Sequence, residues 1–136
     1  MTTKEQLERV QKTQNFAARV AFGGVRKFDH VTPILAELKW LNIEKKVLND
    51  ISVFVYKVFH NLLPNWLFSF STMEDHRVRP TRQSNDLFIS RYMTDIGARA
   101  ISIKGPKIWN AIPQAVKDSN SIHIFKERMK QYLFEK

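Results

Sequence analysis

Apolar residues in the first half of the chain recur at helical spacing. Leu7, Val10, Ala17, Val20 and Ala21 predict a helix over about 3–22. Thr2 and Glu5 stand at capping-box spacing at its start, and Gly23-Gly24 closes it. Its other face carries Lys4, Glu8, Gln11, Lys12, Asn15 and Arg19, polar and net basic. Thr32-Pro33 marks the next start, a hydroxyl cap with proline where the missing N–H is harmless, and Ile34, Leu35, Leu38 and Leu41 follow on one side. Asn42 caps a third helix to about Asn61. Its apolar positions Ile43, Val47, Ile51, Phe54 or Val55, Val58 and Leu62 step by three and four, which marks it as the central core helix. Pro64 ends it, and Trp66, Leu67, Phe68 and Phe70 form a short aromatic segment.

The pattern changes after Ser71. From Thr72 to Ser90 the chain is polar, with few apolar anchors. Leu87-Phe88-Ile89 and Ala100-Ile101-Ser102-Ile103 are short extended candidates for a β-hairpin, the second ended by Gly105-Pro106. Pro106 is expected to open a short helix through Ile112 that contains Trp109, with Pro113 ending it. Ser121 caps a last helix that buries Ile122, Phe125, Met129, Tyr132 and Leu133. The expected fold is mainly α, a small helical domain of about five helices with a short β-hairpin in the second half. An N-terminal helical half (1–71) is followed by a basic loop, the hairpin candidate and C-terminal helices (72–136).

Composition narrows the chemistry. The 136 residues contain no cysteine, which removes disulfides, thiolate zinc sites and cysteine nucleophiles. Four isolated histidines, His30, His60, His76 and His123, have no metal-cluster spacing. The carboxylates are scattered over helix surfaces, only Glu74-Asp75 are adjacent, and neither Asp-Asp nor Asp-x-Asp occurs. There is no glycine-rich phosphate loop and no nucleophile elbow. We therefore expect no enzyme activity from the chain itself, no cofactor and no small-molecule substrate. The longest apolar stretch, Ile51 to Phe59, is broken by Ser52 and Lys57 and is too short for a bilayer, so no membrane partner is expected.

Charge points instead to polyanions. Lys plus Arg total 22 against 13 acids, a formal +9. Between His76 and Lys107 stand Arg77, Arg79, Arg82, Arg91, Arg99, Lys104 and Lys107 against Asp86 and Asp95 alone. Five of the seven are arginine, whose planar fork suits phosphate and whose face stacks on unpaired bases. These seven are the predicted nucleic-acid-binding residues, with Lys12, Arg19, Arg26 and Lys27 as an extension. Phe88, Tyr92 and Trp109 lie among them. Phe88 and Trp109 read better as core residues ringed by arginine stems, and Tyr92 fits either role. No signature of a sequence-reading RNA module is present, so sequence-tolerant contact with RNA or DNA is expected.

Six blocks, in order, resemble one family. Gln11 to Arg19, ending Ala17-Ala18-Arg19, is similar to the Gln…Ala-Ala-Arg helix near the end of non-LTR retrotransposon reverse transcriptases of the Jockey type. His30-Val31-Thr32-Pro33-Ile34-Leu35 with Leu38-Lys39-Trp40-Leu41 resembles their His-x-Thr-Pro…Trp-Leu block. Tyr56-Lys57 with Leu63-Pro64-Asn65-Trp66-Leu67, and Arg82 with Ser84, resemble the next two. Gly97-Ala98-Arg99-Ala100 leading to Pro106-Lys107-Ile108-Trp109-Asn110-Ala111-Ile112-Pro113 is similar to their Gly-x-Arg-Ala…Pro-x-x-Trp-Asn-x-x-Pro block. Phe125-Lys126, Met129-Lys130 and Leu133-Phe134 resemble the terminal helix. Lys45-Lys46-Val47, Gln83 and Ile101 depart from the family pattern. The resemblance implies a non-catalytic C-terminal region, downstream of the polymerase palm with its metal-binding aspartates. Its partners would be template RNA or target DNA and the remainder of the reverse transcriptase polypeptide. The rival expectation is a packing module of that larger polymerase, with no nucleic-acid contact of its own.

Overall fold

The computed structural model describes residues 3–24, 28–64, 66–75 and 86–136. It is mainly α. Among the described residues seven helices follow one another: α1 (Lys4–Phe22), α2 (Thr32–Glu37), α3 (Ile43–Phe59), α4 (Asp95–Arg99), α5 (Ile101–Asn110), α6 (Gln114–Lys117) and α7 (Ile122–Glu135). Among the described residues there is no strand, only a single antiparallel bridge between Thr72 and Leu87.

Local chemistry sets the helix boundaries. The capping box of α1 forms at Thr3 rather than Thr2. The Thr3 hydroxyl accepts from the Gln6 amide, and Gln6 Oε1 accepts from the Thr3 amide at 2.9 Å. Asn42 caps α3 and Ser121 caps α7, each accepting from the amide three residues on. Both α2 and α3 end in a Schellman turn. The Lys39 and Trp40 amides donate to the Ala36 and Leu35 carbonyls, and those of Asn61 and Leu62 to Val58 and Lys57. The turn residue is left-handed, φ 53° at both Lys39 and Asn61. Asparagine tolerates that region. A lysine in it costs about 1 kcal/mol relative to the glycine that usually fills the position.

Helix α3 is the central element, with α7 and α5 packed along it and α1 against its beginning. The buried cluster joins Ile51, Val55 and Tyr56 to Leu87, Trp109, Phe125 and Met129, so both halves of the chain share one core. Tyr56 stacks on Phe125 with ring centroids 4.3 Å apart, and its hydroxyl donates to the Ser119 carbonyl at 2.7 Å. The phenol is thus buried without an unpaired polar atom.

Two expectations are corrected. Residues 100–103 do not pair with 87–89 as a hairpin. They start α5, whose Ile103, Pro106 and Trp109 are buried three residues apart, a helical stripe that four alternating residues could not reveal. Pro106 accordingly sits inside the helix rather than at its start. The glycine before it permits the contact, because a Cβ on Gly105 would lie 3.1 Å from both Phe70 Cζ and Val55 Cγ2. The extended segment 86–88 pairs instead with 71–73, where the Met73 amide donates to the Asp86 carbonyl and the Phe88 amide to the Ser71 carbonyl, each at 2.8 Å, and its other edge is held by a side chain. Asn110 accepts from the Leu87 amide at 2.9 Å and donates to the Leu87 carbonyl at 3.0 Å, imitating a strand partner.

The second correction concerns the face of α1. Val10, Ala17 and Val20 point outward, and Ala18 is the buried residue. Gln11 and Gln14 turn inward, where Gln11 Oε1 accepts from the Ile43 amide at 2.8 Å and Gln14 Nε2 donates to the Leu41 carbonyl at 2.7 Å. The first amides of α3 lack intrahelical acceptors, and Gln11 supplies one of them with a partner from the inward face of α1.

Candidate nucleic-acid interface

Of the seven predicted contact residues, Arg77, Arg79 and Arg82 lie outside the described residues, as do Arg26, Lys27 and His76. The other four are placed on and beside the α4–α5 pair. Thr94 caps α4 by accepting from the Gly97 amide at 3.0 Å, and Arg99 closes it by donating through Nε to the Asp95 carbonyl at 3.1 Å. That bond turns the guanidinium back along its own helix and leaves its terminal nitrogens without a partner among the described residues. Lys104 and Lys107 stand three apart on α5, hence on neighbouring positions of one face. Tyr92 joins the two helices. The Lys107 ammonium donates to its hydroxyl and lies 4.2 Å from its ring centroid.

Among the described residues no carboxylate comes within 4.0 Å of Arg91, Arg99, Lys104 or Lys107. Four cations with no carboxylate oxygen within 4.0 Å, although Asp95 stands one turn before Arg99 on α4, and one of them resting on a phenol ring that is 43% exposed, are the ingredients of a phosphate and base surface. Trp109 is not part of it. At 2% exposure it belongs to the core, in the role preferred for it on sequence grounds, and Phe88 is half-buried. The extension toward Lys12 and Arg19 is spatially separate. Both are on α1, which meets α3 at Ile43, whereas α5 meets α3 at Val55. Twelve residues of helix put these junctions roughly 18 Å apart. Arg19 is also engaged locally, donating to the Asp29 carbonyl at 3.2 Å.

Two further clefts hold cations that sequence reasoning did not single out. In one, of about 500 Å³, Lys117 lies beside Phe59, His60 and Trp109. Its ammonium is 3.9 Å from Asp86 and 5.8 Å from the Trp109 ring centroid. Burial lowers its pKa below the ordinary lysine value, and Asp86 and Asp118 act in the opposite direction. With two acids against one partly desolvated lysine, this cleft does not attract anions. His60 caps α3 and rests on the Tyr56 ring at 4.1 Å, a packing role.

The other cleft, of about 420 Å³, has no acid in its lining. Lys39, Lys46 and Lys130 surround it with Trp40, Gln14 and Asn49. Lys46 pairs with Asp50 at 2.8 Å, leaving Lys39 and Lys130 uncompensated there. Sequence spacing could not assemble this set, because its members come from the end of α2, the first half of α3 and the second half of α7.

No described group of three or more His, Asp or Glu side chains could hold a metal ion, and no described helix is long and apolar enough to cross a membrane. No family model, curated protein or solved structure matches the chain.

Proposed function

We propose that this chain is a non-catalytic, basic module that grips RNA or DNA by its backbone, with little regard for sequence. We place it as the C-terminal segment of a non-LTR retrotransposon reverse transcriptase. The observation that carries the binding role is that Arg91, Arg99, Lys104 and Lys107, on and beside α4 and α5, make no ion pair among the described residues, with the exposed Tyr92 ring under Lys107. The six ordered blocks of family resemblance, spread over nearly the whole chain, support the origin. In that setting the segment helps hold template or target while chemistry proceeds elsewhere in the polypeptide. The test is a variant with all four residues changed to Ala, titrated against several unrelated oligonucleotides. Affinity should fall by a similar factor on every sequence, as expected for contacts to phosphate. Unchanged affinity would reject this patch.

A second reading has its own observation. Phe28 is 91% and Trp66 85% exposed, and Val10, Phe16 and Val20 make an outward apolar side on α1. These would suit a segment that packs against a larger polymerase and leaves nucleic acid to other parts. The two readings separate in solution. A packing segment self-associates and binds hydrophobic dye while ignoring oligonucleotides.

A further inference from the structure

We infer that the groove bordered by Lys39, Trp40, Lys46 and Lys130 takes a single-stranded stretch of nucleic acid. One base lies on the Trp40 indole and the adjoining phosphate between Lys39 and Lys130. This goes beyond the α4–α5 patch, and it rests on the reading above only in taking nucleic acid as the ligand. The two places are distinct. Lys46 and Val55, the groove and α5 junctions on α3, are nine residues or roughly 14 Å apart.

Four observations converge on it. The lining contains three lysines and no acid, in a cleft the size of a nucleotide site. Trp40 is 38% exposed there, a large flat ring that no hydrophobic core has claimed. The groove also continues. A neighbouring cleft of about 530 Å³ shares Lys39 and Lys130 and ends at Phe134, which is 40% exposed with the Lys130 ammonium 5.9 Å from its ring centroid. Glu127 and Glu135 line that second cleft with the same two lysines, so the phosphate is placed on the side of Lys39 and Lys130 that faces Trp40 and Lys46, where no acid lines the cleft. Two rings separated by lysines match a strand whose bases stack and whose backbone lies between. A duplex keeps its bases stacked on one another and cannot use Trp40.

The fourth observation is the backbone at Lys39. Its φ of 53° is the position in a Schellman turn where glycine is least strained. The lysine in that place makes no ion pair among the described residues, and its exposed side chain lines the groove. Asn49 adds a second polar feature. Its Oδ1 is buried at the cleft with no donor among the described residues.

The test uses the full chain and four variants: Trp40→Ala, Trp40→Phe, Lys39→Gly alone, and the double change Lys39→Gly with Lys130→Gln. Each is titrated with a short oligothymidylate and with a duplex of the same length. Trp40→Ala should weaken single-strand binding about tenfold and leave duplex binding unchanged, while Trp40→Phe retains most of the affinity. The double variant should flatten the salt dependence of log affinity for the single strand by roughly 1.4. Lys39→Gly alone should melt a few degrees higher than the parent, so lost binding there cannot come from lost folding. Wild-type affinity for the single strand in Trp40→Ala, with its melting intact, overturns the groove and leaves the patch standing. Loss of binding in the groove variants but not in the four-alanine patch variant supports the groove and rejects the patch. If the parent binds neither probe, both fall. Vesicles of equal parts phosphatidylserine and phosphatidylcholine supply the remaining arm. Vesicle binding lost in the double variant, with oligothymidylate binding retained, would make a lipid headgroup the occupant and overturn the proposal.

Discussion

Lys117 shows how a single side chain can work against the fold that contains it. Its ammonium is largely removed from water, and the nearest carboxylate, on Asp86, is 3.9 Å away, too far for a hydrogen bond. Burial lowers its pKa below the ordinary lysine value. In the window between the lowered pKa and the ordinary one, the unfolded chain binds more protons than the folded chain. Stability contributed by this group therefore rises with pH through that window, and at neutral pH the charged form is a cost. Replacing Lys117 with Met should stabilise the protein at pH 7. It should also remove that part of the alkaline rise that the parent shows in urea titrations at stepped pH. A parent and variant with parallel pH profiles would contradict the desolvation argument. None of this was legible in the sequence, where Lys117 stands beside Asp118 like any solvated surface lysine.

The helices themselves were largely readable, because α3 and α7 carry unbroken three-and-four spacing and conventional caps at Asn42 and Ser121. The failures came where local pattern and tertiary demand part company. Alternation over residues 100–103 suggested a strand. What decides the matter is the long stripe from Ile103 to Trp109 that can bury against α3, made possible by a glycine set against Val55. On α1 the hydrophobic count favoured one face, and an unsatisfied amide at the start of α3 selected another. Asn110 stands in for the missing hairpin, and its two bonds to Leu87 fasten a fully buried leucine. Asn110→Ala should cost about 1–3 kcal/mol in denaturant unfolding, since it leaves both Leu87 backbone groups without their partner. Hydrogen exchange at the Leu87 amide should accelerate in the same variant. Unchanged protection there would show that the bridge to Thr72 alone holds the segment.

The described helices share one core, and the cations beside α4 and α5 lie apart from those lining the Lys39–Lys46–Lys130 cleft. The proposed basic group could be named because its residues are close in sequence; the four of the seven that are described, Arg91, Arg99, Lys104 and Lys107, stand on and beside α4 and α5 with no carboxylate within 4.0 Å. The Lys39–Lys46–Lys130 groove was invisible for the opposite reason: its members meet only because α7 packs along α3. Both surfaces make the same prediction about a polyanion, that its affinity is set by how many phosphates displace counterions. The most direct measurement is the affinity of the full chain for an oligonucleotide as a function of salt. If six or more phosphates are engaged, binding should weaken by orders of magnitude between roughly 50 and 200 mM, with log affinity falling linearly against log salt. A shallow or absent salt dependence, or no binding at the low end of that range, would contradict the claim that these cations meet a phosphate chain.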